Sequence, residues 1–163
     1  MSYRTGLGAD VHPLVAGRPL VLGGHAVPHD VGLAGHSDGD VLTHAVIDAL
    51  LGAAGLGDIG SLFPSSDTKL AGVSSLALLD ETVCRVTEAG WRATYVDATI
   101  VAQRPTLAPH IARIRGGLAG ALSLDLADVN VKATTTDALG FIGRGEGIAA
   151  LAVATMTRVN AAT

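Results

Sequence analysis

Aromatic side chains are scarce in this chain: two Phe, two Tyr and one Trp make up 3% of its 163 residues. Its core must therefore be aliphatic, since 48% of residues are hydrophobic and Ala, Val, Leu and Ile dominate them. The lone cysteine, Cys84, excludes an internal disulfide and reads as a small core residue on a helix over residues 76–89. No cluster of Lys and Arg occurs and the net charge is −4, which argues against a nucleic-acid partner. His, Asp, Arg or Glu interrupts every apolar run before it reaches membrane-spanning length. A leader with a basic start and an apolar middle is also missing, so the cytoplasm is the expected location. The mean hydropathy of +0.43 is high for a monomer. The surplus apolar surface is expected to lie between subunits.

What is present starts with Asp10-Val11-His12. Residues two apart on a strand share a face, so a carboxylate and an imidazole stand side by side. His44 lies in a helix predicted over residues 38–54, where Val41, Leu42, Ala45, Val46, Ala49 and Leu50 mark an apolar stripe. Packed on the strand, that helix delivers a third ligand. Two imidazoles and a carboxylate suit zinc in a catalytic site with one position open. The alternative is a chance D-x-H beside a core histidine. His36-Ser37-Asp38-Gly39-Asp40 precedes the helix, with Ser37 or Asp38 as its expected N-cap and an anion site at its N-terminus.

The rest alternates strands and helices in one expected domain, residues 1–163. A hairpin is expected around Gly23-Gly24, a lid over residues 58–73, a strand over 95–102, a helix opened by Pro109, and strands over 129–133 and 148–159. Thr134-Thr135-Thr136-Asp137 offers hydroxyls, backbone donors and a carboxylate, suited to phosphate oxygens and a hard divalent cation. Its plainer reading is a capped turn. The loop from Ala102 to Ala108 is proline-bounded, and Gly143-Arg144-Gly145-Glu146 offers a surface ion pair.

The segments GADVHPL, GLAGHSDGDVLTHAVIDALLGAAGLGDIGSLFPSSD, VDATIVAQRP and VNVKATTTDALGFIGRGEGIA resemble the 2-C-methyl-D-erythritol 2,4-cyclodiphosphate synthase family, nearly end to end. The resemblance implies an α+β fold: a single domain with a mixed four-stranded sheet, helices packed on one side, and assembly as a homotrimer with active sites between subunits. It implies one Zn²⁺ per subunit on Asp10, His12 and His44, and Mg²⁺ or Mn²⁺ with the substrate diphosphate, Asp137 being its ligand. His36 and Thr135 would stabilise the transition state, with His36 and Ser37 on phosphate. Asp58, Gly60, Phe63, Pro64, Ser65, Ser66 and Asp67 would line the methylerythritol side. Ala102, Pro105, Thr106, Leu107 and Ala108 would hold cytosine. Thr134 and Thr136 would meet the diphosphate, with Phe141 and Arg144 bordering the ligand near the threefold axis.

The implied reaction is closure of a cytidine diphosphate substrate to a cyclic diphosphate with loss of CMP. No Ser-His-Asp or Cys-His set is then needed, because the attacking phosphate is already an anion. The chain departs from the family pattern in four places, one of them after Asp67, where Lys69 comes early and Ala71-Gly72 stands for the usual lysine-glycine pair. Asp137 stands where Glu is usual, Ala9 where an aromatic is common, and Thr106 where a basic residue is frequent. Two other classes use parts of the same pattern: a zinc-dependent phosphohydrolase, and a non-catalytic trimeric metal-binding module.

Overall fold

The computed structural model describes residues 2–159. Among the described residues, seven strands and five α-helices occur in the order β1 (Tyr3–Ala16), β2 (Leu20–Leu22), β3 (His25–Val27), β4 (Val31–Leu33), α1 (Val41–Ala54), α2 (Ile59–Leu62), α3 (Ser75–Glu88), β5 (Trp91–Val101), α4 (Ile111–Leu122), β6 (Val129–Thr134), α5 (Gly140–Gly143) and β7 (Gly147–Arg158). The sheet has five strands, not four, ordered β4-β1-β7-β5-β6. Four of them match the expected mixed sheet: β5 and β6 run parallel, and β7 is antiparallel to both β1 and β5. The fifth, β4, pairs only through Leu14 to Ala16 of β1. Three residues show no periodicity of their own, which is why the sequence hides this strand.

Helices α1, α3 and α4 pack on one face of the sheet. Its inward side chains are small or branched, among them Val96, Ala98, Ile100, Ala150, Ala152 and Ala154, all essentially inaccessible. The other face carries Leu7, Val11, Leu151 and Val153 at 67, 52, 42 and 37% exposure. A row of apolar groups that wet is unusual for a monomer.

Helix α1 approaches β1 without side chains between them. A Cβ at Gly6 would collide with Ala49 O, and one at Gly8 with Ala45 O. Glycine is needed at both positions for that contact. The approach also sets the register. Gly6, Gly8, Asp10 and His12 share the inner face of β1, and His44, the residue just before Ala45 on α1, meets Asp10 and His12.

Two further expectations need correction. The N-cap of α1 is Asp40, not Ser37 or Asp38. Its buried carboxylate accepts from Thr43 N at 3.0 Å, Thr43 Oγ1 at 2.7 Å and Gly24 N at 2.8 Å. That carboxylate satisfies the Thr43 amide in the first turn of the helix. Burial pushes the Asp40 carboxyl above its usual range, opposed by these hydrogen bonds. Cys84 is exposed. The buried residues of α3 include Leu78, Leu79, Thr82 and Val86, and at 100° per residue position 84 falls on the opposite side.

Candidate active site

Asp10, His12 and His44 converge as their spacing foretells. Asp10 Oδ2 lies 2.8 Å from His12 Nε2 and 3.1 Å from His44 Nδ1, and those two nitrogens are 3.3 Å apart. Donors on a tetrahedral zinc with bonds of about 2.0–2.1 Å sit about 3.3 Å from each other, so little movement is needed to take the ion. The outer nitrogens fit as well. His12 Nδ1–H donates to Ala34 O, and His44 Nε2 faces the hydroxyls of Ser37 at 3.0 Å and Ser75 at 2.9 Å. Each ring thus has a partner that leaves its inner nitrogen free to bind metal.

The electrostatics follow from this crowding. Burial works against the Asp10 charge, but hydrogen bonds and charge from His12 and His44 hold its carboxyl well below the usual carboxylate range. Burial likewise lowers His12, yet Asp10 and Ala34 outweigh it and leave the imidazole above its ordinary value of 6.5.

The triad opens into a cavity of about 340 Å³ that is also lined by His36, Ser37, Ile59, Gly60 and Phe63 through Ser66. Here the expected lid is partly ordered into α2 and a 3-10 turn at Thr68–Leu70. It is tied down by His36 Nε2–H to Asp67 O at 2.9 Å, Gly72 N to His36 O at 2.8 Å and Asp38 N to Val73 O at 3.0 Å. Asp58 does not line the cavity; it caps α2 by accepting from Ser61 N at 2.7 Å. Asp67 likewise turns its carboxylate to Lys69 N.

A second cavity, of about 300 Å³, lies at the β6 edge and is lined by Ala102, Pro105, Thr106, Leu107, Ala108, Thr134 and Thr135. Thr136 and Phe141 fall outside it, on a separate apolar hollow. Asp137 adopts φ of 51° and accepts from Thr135 Oγ1 at 3.2 Å. Arg144 pairs with Glu146 at 2.7 Å, both largely exposed. Residue-by-residue reasoning missed Gln103, whose Oε1 accepts from Ala138 N at 3.0 Å and joins the proline loop to the threonine turn. It also missed Ser75 and Ala34, because nothing local marks a partner brought in from afar.

The residue pairs Asp10↔Ala150, Ala150↔Ile100 and Ile100↔Ala133 form one row across the sheet. Both cavities therefore open at the same end of the sheet, three strand spacings or about 14 Å apart.

The YgbB family model matches residues 3–157. The chain belongs to the YgbB family. A member from Syntrophobacter fumaroxidans, named 2-C-methyl-D-erythritol 2,4-cyclodiphosphate synthase, is 59% identical over 150 residues, covering 92% of this chain and 94% of that protein. Among solved structures, the bifunctional IspDF from Campylobacter jejuni superposes with a TM-score of 0.93 at 44% identity. That match covers 96% of this chain but only 42% of the bifunctional protein. The IspF CDP complex from Plasmodium falciparum gives a TM-score of 0.85 at 29% identity, with 98% of each chain covered.

Proposed function

We propose that the protein converts 4-diphosphocytidyl-2-C-methyl-D-erythritol 2-phosphate to 2-C-methyl-D-erythritol 2,4-cyclodiphosphate, releasing CMP, with residues 1–163 acting as one synthase domain in the cytoplasm. The observation that carries this reading is the donor triangle of Asp10, His12 and His44 at the mouth of a cavity, in a chain matched by the family along 3–157. An oxygen of the substrate's 2-phosphate forms a bond to the β-phosphorus as the bond from that phosphorus to the CMP oxygen breaks. The electron pair leaves with CMP. No water enters and no net proton is needed.

The work left to the protein is to hold anions together and to close a ring. Zinc bound by Asp10, His12 and His44 would supply charge that draws phosphate oxygens together. His36 and Ser37 face that cavity and would donate to phosphate oxygen, while Gly60 and Phe63 through Ser66 enclose the methylerythritol. Leu107 and the flanking backbone of the proline loop offer a slot for cytosine. Thr134 and Thr135 would contact the diphosphate, and Asp137 would ligate Mg²⁺ or Mn²⁺. Positioning of this kind removes freedom that free phosphates lose only in the transition state.

The separation of about 14 Å between β1 and β6 is longer than a diphosphate link. It supports a site shared between chains, and the exposed apolar sheet face supplies a surface for a homotrimer. Incubation with the cytidine diphosphate substrate should give equimolar CMP and a cyclic diphosphate in the phosphorus NMR spectrum. Free phosphate or an open-chain diphosphate in place of the ring would make the protein a phosphohydrolase and defeat the proposal.

A further inference from the structure

If His44 presents Nδ1 to a metal, its other nitrogen, Nε2, carries the proton. Two hydroxyls face that nitrogen almost equally, Ser75 Oγ at 2.9 Å and Ser37 Oγ at 3.0 Å. Their surroundings separate them. Ser75 is the first residue of α3 and is fully buried. Its hydroxyl hydrogen goes to Asp38 Oδ1, while Asp38 Oδ2 accepts from Ser75 N at 2.9 Å. With that hydrogen committed, Ser75 Oγ faces His44 as an acceptor. Ser37 instead borders the cavity, and its remaining partners are distant, Ser75 Oγ at 3.2 Å and Gly39 N at 3.3 Å. Its hydroxyl is free to turn outward.

We propose that Ser75 is a positioning residue of the metal centre: it accepts the His44 Nε2 proton and holds the ring with Nδ1 toward the metal, and Asp38 fixes its hydroxyl. This assignment rests on the metal reading above and leaves Ser37 available to a ligand oxygen. It also links two parts of the molecule. Asp38 N–H donates to Val73 O, so one residue joins the end of the lid, the start of α3 and a metal ligand.

The test is zinc affinity of the full chain by chelator competition, together with the imidazole N–H proton spectrum of the zinc-loaded protein. Ser75→Ala should weaken zinc about 10–100-fold, and Ser37→Ala by less than about threefold. A slowly exchanging His44 Nε2–H resonance should persist in the parent and in Ser37→Ala and vanish in Ser75→Ala. Should Ser75→Ala not fold, Asp38→Asn reads the same relay and should weaken zinc by about tenfold. Unchanged zinc affinity in a folded Ser75→Ala, or a loss confined to Ser37→Ala, would overturn the positioning role. A parent protein that holds no zinc would instead overturn the metal reading on which it stands.

Discussion

In the Asp10, His12 and His44 triad each imidazole has a partner behind it, whereas the threonine turn after β6 bonds mostly to itself. His12 leans on Ala34 and His44 on two serines, in a pocket walled by α1 and α3. Thr135 and Asp137 are exposed and share two long contacts, each of 3.2 Å, and Thr136 Oγ1 donates to nearby Leu139 O. One end is assembled by the fold of a single chain. The other offers donors that still need something to face, either substrate or a neighbouring subunit. A preorganised site should lose function steeply when one member is removed, while a site completed on binding should show its losses in turnover and in metal demand.

The largest effect is expected at the preorganised end. His44→Ala should abolish stoichiometric zinc and lower turnover on the order of a thousandfold, because a Lewis-acid contribution of several kcal/mol is lost. Full zinc content after dialysis would remove His44 from the site. Next come Thr135→Ala and His36→Ala, each expected to cut turnover on the order of a hundredfold with little change in substrate affinity. If KM rises while kcat holds, these residues bind substrate rather than stabilise the transition state. Mixing the inactive His44→Ala and Thr135→Ala chains sharpens the contrast further. Activity should return in co-refolded oligomers if one chain lends its metal end and another its threonine turn; no recovery from well-folded mixtures would put both ends in one chain.

Much of this was legible in the residues. The two-residue spacing of Asp10 and His12 and the apolar stripe around His44 encode their convergence, because periodicity survives into the fold. Ser75 carried no such mark: its role exists only because α3 begins beside α1. Asp40 outcompeted Ser37 and Asp38 as the helix cap for a similar reason, since the Gly24 amide that helps to hold it arrives from a hairpin sixteen residues away. Strand β4 was likewise set by neighbours and not by local pattern, whereas the helical period of α3 by itself turns Cys84 outward.

Smaller effects complete the comparison. Proton and metal compete for His12 Nε2, and Asp10 has raised the affinity of that nitrogen for protons. Zinc affinity should therefore start to fall above pH 6.5 as the solution is acidified, by about tenfold per unit once His12 titrates. The metal-free protein has the opposite preference. Its His12–Asp10 contact adds stability that is fully present below 6.5 and fades as pH rises through the raised value. Competition titrations at several pH values check the first trend and urea melts of chelated protein the second; pH-independent zinc binding would contradict the assignment. The mildest change should come from Asp137→Asn, a few-fold rise in the Mg²⁺ or Mn²⁺ needed for half-maximal rate, with zinc content untouched. An identical metal titration would reduce the turn to a structural cap.

Gly6 and Gly8 act on this chemistry from a distance. Replacing glycine by alanine in a compatible backbone commonly stabilises a protein by about 0.4–1 kcal/mol, which makes such sites attractive to anyone hardening an enzyme. Here the two glycines serve as a ruler. The gap between β1 and α1 is set by backbone touching backbone, and the carboxylate and histidine one step along inherit their spacing from that contact. A single methyl inserted into the seam would displace a whole helix, and with it one corner of the donor triangle. The tolerance of the reaction centre is thus decided where no functional group exists at all.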